Sequence, residues 1–597
     1  MYSGVHGDWT EAKSNEVHSY LVPLIYTLDA NNRPLENKYL KNMKVYSQTH
    51  ITSLVQGYRG FAASALDSLS IPEDKLTWNI AKSACDTVAA KISKNKVKVT
   101  IVCDNADWHT QRKAEKLDRA VYGLMYAGKF HQVAKRAFND AEVCGTGIIQ
   151  VIPGEDGVSY ERVPPYECLV DDMDAQYGKP TRFYRWKLVP RHQLIQKFPK
   201  YEMQINQEQG VTSISGDPIM ESILTFEAWA LPTSSKGRHV ICCGSVTLLD
   251  ESFEDKQLPF AFIRWSAPSI GFWGISLVDE ITPWQVAINK QLFHISQNMI
   301  LSSTPFWLVP KDSVDKRHMA NNQIGKIIET TGQAPQRIVG QPVHPQTIEW
   351  LMFLKNEAYA AVGVSQLSAR SEKPAGLNSG KAISTYNDIE SERFVLIGQS
   401  FEEMYVDIFN LTINAAKKVA AINPKFNVMS FTPKGAMEAI DWAAVDMDAS
   451  KFTVKPYPTS ALPQQPEARF AQLQEYMNIG LISQEEFIEM LDLPADMVSM
   501  MRRKNAAVYM AKETLAKIVD TGELVRANKY WDLETTLRIA IQELSFLEVN
   551  NCPEDTLDLI RTFIDDTLAL KDSLQPPVPT QPTAPVEAVP PMPAMPM

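Results

Sequence analysis

Residues 381–422 contain no proline and a single glycine, Gly398, and no other stretch limits the folding choices of this chain so tightly. At 1.5 Å per residue such a run makes a helix roughly 60 Å long. Periodic runs beyond about 25 residues belong to coiled coils, membrane spans or extended assemblies, and a compact enzyme core seldom needs one. Glu390, Glu392, Arg393, Glu402, Glu403 and Asp407 exclude a membrane span, because burying those charges in hydrocarbon is too costly. A long strut within an assembly is the reading that survives.

The residues leading into this run have an order of their own. Ser276 and Asp279 form a capping-box pattern, in which a hydroxyl and a carboxylate satisfy free backbone N–H groups at a helix start. Pro283 fits only near the beginning of that helix or at a kink. Val286, Leu292, Ile295 and Met299 then recur at helical spacing, with Asn289, Lys290 and Gln297 between them. A helix over 276–302 would be about 40 Å long. Pro305–Pro310, Gly325–Thr330 and Gln336–Val339 are short β-favouring runs bounded by Pro, Gly or Asn, which predicts short strands. A second helix starts near Pro345, where proline suits the first turn. It continues through Ile348, Leu351, Met352, Leu354 and Tyr359 to about Val362. Residues 363–380 lose the period and gain Gly, Ser and Pro, so they form a loop.

Three blocks carry a resemblance: W-G-I-S-L-V-D-E-I-T-P-W-Q-V-A-I-N-K from Trp273, G-V-S-Q-L-S-A-R-S-E-K-P-A-G-L-N-S-G-K-A-I-S from Gly363, and E-A-R-F-A-Q-L-Q-E-Y-M-N-I-G-L-I-S-Q-E-E-F from Glu467. In this order and spacing the chain resembles the portal, or head-to-tail connector, proteins of tailed bacteriophages over roughly residues 140–500. The resemblance implies an α+β, mainly helical subunit assembled as a ring. Its parts would be a wing with an N-terminal extension (1–270), a first stem helix (271–302), a small β clip (303–344) and a second stem helix (345–362). A tunnel loop facing the DNA channel (363–380), a long body helix (381–423), strands returning to the wing (424–462) and a helical crown (463–573) would follow. Residues 574–597 are a Pro-rich tail, extended or disordered by composition.

Outside the stem the pattern is mixed. Residues 1–50 show few signals beyond polar turns such as Asp29–Pro34 and are expected to extend along neighbours. Helices are predicted over 48–69, 78–93 and 107–145, the last broken near Gly128. Strands are predicted at 98–103, 145–153, 158–163, 167–170 and 181–188, with a short helix at 190–198. A hairpin is predicted from 223–230 and 239–249, turning at 234–238. Strand-like runs at 426–431 and 452–457 would rejoin the wing. Helices at 468–479, 484–491, 495–519, 533–547 and 553–570 would build the crown, one of them opening on a capping box at Ser483–Glu486.

Nothing in the chain demands an enzyme. The nearest thing to a nucleotide site, Gly376–Ala382, has three residues between its glycines and Ala382 after Lys381. A phosphate-binding P-loop needs four, and a Ser or Thr at that point. Asp171, Asp172 and Asp174 lack the glycine and distal glutamate of a calcium loop, so a solvated acidic turn is the expectation. The ten histidines include no HExxH, and His294 is expected to be a satisfied interhelical residue. The seven cysteines are scattered without a metal-binding spacing and are expected to be buried free thiols. No cofactor and no metal are expected.

The net charge of −11 argues against a protein that grips nucleic acid, since phosphate binding needs clustered cations. It suits one that lets DNA slide past: a ring of twelve, the usual number in the family, would carry roughly −130. Arg370, Lys373 and Lys381, with Gln366 and Ser368, are the candidates for touching DNA in the tunnel loop. Lys311, Lys316, Arg317, Lys326 and Arg337 are the candidates for docking partners at the clip. The resemblance implies a homo-oligomer, a dodecamer, at one capsid vertex of the virion, assembled in the host bacterial cytoplasm. Its partners would be double-stranded DNA, the terminase large subunit, head-tail adaptor or tail proteins, and the major capsid and scaffolding proteins, with no membrane. The alternatives are a packaging ATPase or nuclease subunit, and a capsid or scaffold protein without a channel.

Overall fold

The computed structural model describes residues 8–47, 77–94, 97–103, 108–210, 222–232, 236–303, 306–308, 336–338, 344–364, 394–431, 437–445, 452–457, 466–482, 487 and 506–574. These form two compact units, one from residues 1–102 with 115–461 and one from 103–114 with 462–597. Helices and antiparallel sheets are mixed along the chain, as an α+β assignment requires.

The N-terminal residues overturn an expectation. Instead of polar turns they build a 31-residue helix, α1 (Val17–Ser47), which runs through Pro23, Pro34 and the supposed turn at Asp29–Pro34. An internal proline removes a helix hydrogen bond and costs about 3 kcal/mol or more in isolation. Burial offsets it. Val17, Leu21, Ile25 and Leu28 pack with Trp9 on Tyr184, Trp186, Phe226 and Val240, each worth about 1.5–3 kcal/mol. The Trp9 indole N–H also donates to the Tyr184 hydroxyl at 3.2 Å.

After α1 come α2 (Ile80–Lys94), β1 (Lys98–Cys103), α3 (Trp108–Ala127) and α4 (Phe130–Cys144). The break expected near Gly128 falls at Lys129, whose φ of 52° turns the chain between α3 and α4. Then follow β2 (Thr146–Pro153), β3 (Val158–Val163), the two-residue β4 (Cys168–Leu169), β5 (Arg182–Pro190), α5 (Arg191–Lys197) and α6 (Glu202–Gln207). The predicted hairpin becomes three strands, β6 (Ser222–Ala230), β7 (Arg238–Cys243) and β8 (Val246–Ser252). Gly244 and Ser245 interrupt the expected 239–249 strand, because the Glu208 carboxylate accepts the Ser245 N–H at 2.7 Å and holds a turn there. A further strand, β9 (Phe260–Arg264), was not anticipated.

Two antiparallel sheets organise this part, one ordered β3-β2-β9 and the other β4-β5-β6-β7-β8. One buried cation ties them together. Arg185 of β5, 2% exposed, reaches Gln150 of β2 at 2.7 Å, Glu161 of β3 at 2.9 Å and Glu167 at 3.0 Å. Burial alone would lower the Arg185 pKa, but the two glutamates outweigh it and the guanidinium stays charged.

The unit continues with α7 (Leu277–Ser303), β10 (Phe306–Leu308), β11 (Gln336–Ile338), α8 (Pro345–Val362) and α9 (Val395–Ile422). The next elements are β12 (Asn427–Phe431), β13 (Met437–Asp441), the short α10 (Trp442–Val445) and β14 (Phe452–Tyr457). Of the strands expected to rejoin the wing, β14 pairs with β1, within residues 1–270, and β12 forms a hairpin with the unforeseen β13.

The second unit holds α11 (Pro466–Ile479), α12 (Ala506–Thr521), α13 (Leu533–Val549) and α14 (Glu554–Leu574). Leu515, Ile518, Ala540, Ile560 and Phe563 form its core, with Trp108 packed against it. Asp532 caps α13 by accepting the Thr535 N–H at 3.2 Å. The helix expected over 484–491, Phe487 apart, and the capping box at Ser483–Glu486 lie outside the described residues.

Replacing Arg185 tests the link between the sheets. Arg185→Met leaves Glu167 buried without its cation and is expected to cost about 3–5 kcal/mol. The measure is the urea midpoint, and adding Glu167→Gln should recover part of the loss.

Candidate functional site

The candidate site is the pair α7 and α8, the small β element between them, and the long helix α9. Its geometry begins at the root of α7. Two strands of backbone cross there so closely that side chains are excluded: a Cβ on Gly145 would meet the Gly274 carbonyl oxygen at 2.2 Å, and a Cβ on Gly274 the Gly145 oxygen at 2.3 Å. Gly145 also has φ of 91°, in the left-handed region that favours glycine. The Gly274 N–H donates to Thr146 Oγ1 at 2.9 Å, and Ser266 and Ile275 bridge antiparallel.

The capping box predicted from the residue types forms immediately after. The Ser276 N–H donates to Asp279 Oδ2 at 3.0 Å and the Asp279 N–H to Ser276 Oγ at 2.9 Å. Sequence reasoning did not foresee that α1 completes it. Asn42 Nδ2 lies 3.0 Å from Ser276 Oγ, 2.9 Å from Asp279 Oδ1 and 3.1 Å from the Val143 carbonyl oxygen, and the Lys38 ammonium is 2.9 Å from Asp279 Oδ2. Burial raises the Asp279 pKa, but Lys38, Asn42 and Ser276 together bring it below the ordinary carboxylate value.

A turn further along, Gln285 is 1% exposed and fully employed. Its Oε1 accepts the N–H groups of Ile80 at 2.9 Å and Ala81 at 3.2 Å, capping α2, while Nε2 donates to the Trp78 carbonyl at 2.6 Å and Asn289 Oδ1 at 3.0 Å. Helix α8 fastens to the same place. The Lys355 ammonium, its side chain buried, stands 4.5 Å from the Trp78 ring centroid, and the Tyr359 hydroxyl reaches Ser83 Oγ at 3.4 Å. Helix α2 is thus the seat for both α7 and α8.

Behind this seat lies an uncompensated acid. Glu142 of α4 is 0% exposed and has no well-formed hydrogen bond on either carboxylate oxygen. Burial and the nearby Asp86 raise its pKa well above the usual range, and Asn139 eases the rise only in part.

Helices α7 and α8 pack along each other. Helix α8 spans the predicted range and stops at Gly363, whose φ of 80° closes its C-terminus. The other faces carry large apolar side chains in water: Val286, Met299 and Ile300 on α7, and Ile348, Trp350, Met352 and Phe353 on α8. The Trp350 and Phe353 rings stack with centroids 5.4 Å apart. His294, expected between helices, is exposed instead. Between the helices, β10 and β11 pair antiparallel with Trp307 opposite Arg337.

Helix α9 differs from its predicted extent. It starts at Val395, with Phe394 non-helical at its N-cap, giving 28 residues or about 42 Å. Phe394 is buried and the Lys91 ammonium of α2 lies 5.9 Å from its ring centroid, so packing on α2 marks the start.

Of the predicted site residues, Gln366, Ser368, Arg370, Lys373 and Lys381 lie outside the described residues. So do Lys311, Lys316, Arg317 and Lys326, the strand expected at 325–330, the P-loop-like Gly376–Ala382 and the start of the strut at 381–393. Arg337 is placed by its strand pairing alone. The acidic turn is structural: Asp174 accepts from the backbone N–H groups of Thr181 at 2.7 Å and Arg182 at 2.9 Å. Among the described residues no His, Cys, Asp and Glu group could hold a metal, and no helix is long and apolar enough to cross a membrane. All seven cysteines are free, six of them buried.

A helix pair is thus seated on an α+β body, joined through a small antiparallel element and followed by a long helix. The family model described as Phage SU10 portal protein matches residues 201–423, from α6 through α9, and this match supports a phage portal protein. No curated protein matches the chain.

Two titrations test the seat. Asp279 has a lowered pKa in the fold, so its ionised form contributes stability above the unfolded value of about 3.9. The stability difference between wild type and Asp279→Asn is expected to be full at pH 7 and to disappear as pH falls through the lowered folded value. Glu142 has a raised pKa, so its burden grows as pH rises from the ordinary glutamate value toward the folded one. Glu142→Gln should melt higher than wild type at pH 8 and together with it near pH 4.

Proposed function

We propose that this chain is the subunit of a portal ring at a single capsid vertex, a passive conduit for DNA during packaging, retention and ejection. The observation that carries the reading is the coincidence of the family match with the apolar flanks of α7 and α8. Trp350 and Phe353 are about half exposed, and surfaces of this kind mark interaction sites. Closed rings of identical subunits cover them by repeating one contact about an axis. Twelve copies are proposed from the family resemblance.

In this reading the α7–α8 pair forms the stem, and the β10–β11 element with Lys311, Lys316, Arg317, Lys326 and Arg337 forms the clip. The clip docks the terminase large subunit first and the head-tail adaptor or tail afterwards. The 363–380 loop, with Gln366, Ser368, Arg370, Lys373 and Lys381, brushes the duplex. These cations are too few to hold DNA tightly, because affinity grows with the number of phosphates neutralised. The net negative charge keeps the duplex sliding. The second unit serves as the crown, and capsid and scaffolding proteins surround the ring in the virion.

Electron microscopy of the purified protein tests the assembly: rings with an axial hole are expected, and monomers that turn over ATP would favour a packaging motor instead. Deleting 366–378 should leave rings intact but lower the DNA packaged or retained in particles. Unchanged packaging and retention would reject a channel role for the loop.

A further inference from the structure

We infer that neighbouring copies of this chain meet head to tail through a specific plug and socket, an acidic apolar loop tip of one subunit seated in a basic-rimmed aromatic cavity of the next. The inference rests on the ring reading and names the contact that would build it.

The socket is a cavity of about 750 Å³ between α2, β1, α3, α4 and α9. Its walls include the buried side chains of Phe138, Phe401 and Tyr405, and exposed Lys98, His131 and Lys135 stand at its rim. The His131 Nδ1 and the Tyr405 hydroxyl are 3.3 Å apart, which steadies both rings. A cavity of this size has the room of a site for a drug-sized ligand, enough for the leading side chains of a loop.

The plug is formed by two loops, 171–178 and 266–272. The Gly271 N–H donates to the Gln176 carbonyl at 3.0 Å. The Arg264 guanidinium donates to the Phe272 carbonyl at 2.6 Å and the Gly178 carbonyl at 2.9 Å while stacking 4.6 Å from the Phe272 centroid. These bonds hold the tip in one shape. Yet it presents Met173 at 82%, Tyr177 at 90% and Ile270 at 74% exposure, beside exposed Asp171 and Asp172. Rigid apolar anchors lose little entropy on docking. The acidic margin of the tip complements the lysines of the socket, and such complementarity sets register and partner choice.

Lys179, at the end of the tip loop, acts electrostatically on Asp407 of α9, whereas Phe401 and Tyr405 of the same helix line the cavity. Asp407 is two residues from Tyr405, a rotation of about 200°, so Asp407 lies on the face of α9 away from the cavity. A contact between two different patches is heterologous, and repeated with a closing rotation it makes a ring.

The test uses the full chain and begins with wild type, observed by negative-stain microscopy and mass photometry. The paired substitution Lys98→Glu with Lys135→Glu, and separately Asp171→Lys with Asp172→Lys, should each raise the concentration for half-assembly at least tenfold. Combining all four should restore it to within threefold of wild type, an outcome that misfolding would not produce. Met173→Cys together with Ala89→Cys, which places the second thiol on the cavity wall, should give a ladder of covalent oligomers on non-reducing gels, absent from either single variant. Wild-type rings combined with charge variants that assemble normally, and no ladder, would overturn the plug and socket while leaving the ring standing. A wild type that stays monomeric would overturn both.

Discussion

The start of α7 depends on a carboxylate that three groups share. Asp279 binds the backbone N–H of Ser276, the amide of Asn42 and the ammonium of Lys38, and its own N–H is taken by the Ser276 hydroxyl. Any helix leaves its first N–H groups without intrahelical partners, and satisfying them sets where it begins. Here the solution also joins α7 to α1, because two of the partners come from that helix. The glycine crossing at Gly145 and Gly274 brings the end of α4 against the same point. The direction in which α7 leaves the body is therefore set by hydrogen bonds and close backbone contact rather than by a flexible linker.

The same economy of partners recurs at α2. One glutamine, Gln285, closes the N-terminus of α2 and occupies a carbonyl beside it. Lys355 and Tyr359 of α8 settle on the same surface, and Phe394 sets the start of α9 there. Three successive helices of the family-matched segment thus register on one short helix. Buried polar groups are costly when unpaired and specific when paired, so a displaced α2 would strand several at once. Glu142 is the exception, a buried acid beside Asp86 that Asn139 relieves only in part.

Away from their seat, α7 and α8 leave Trp350, Phe353, Ile300 and Met299 in water, and the 171–178 and 266–272 loops do the same with Tyr177, Met173 and Ile270. A soluble chain with scattered exposed apolar residues needs no explanation. Residues held out on rigid elements are different, since their ordering has already been met by the fold. Such surfaces fit a chain whose folded subunit is only part of its final structure.

Much of this was legible in the residues themselves. Local chemistry determined the capping box at Ser276 and Asp279, the extent of α8 from Pro345 to its left-handed stop at Gly363, and the break between α3 and α4, because each depends on neighbours a few positions apart. The order of blocks around Trp273 and Gly363 pointed to the portal family that the match over 201–423 supports. Tertiary structure alone decided the rest. Two prolines and a polar run hid α1 until a sheet was present to bury Val17, Leu21 and Ile25. The start of α9 moved to Val395 because Phe394 packs on α2, and Asn42 came to complete a cap 234 residues away. Long-range burial and hydrogen bonding outweigh local propensity by several kcal/mol at such places, and no short window of sequence contains both partners.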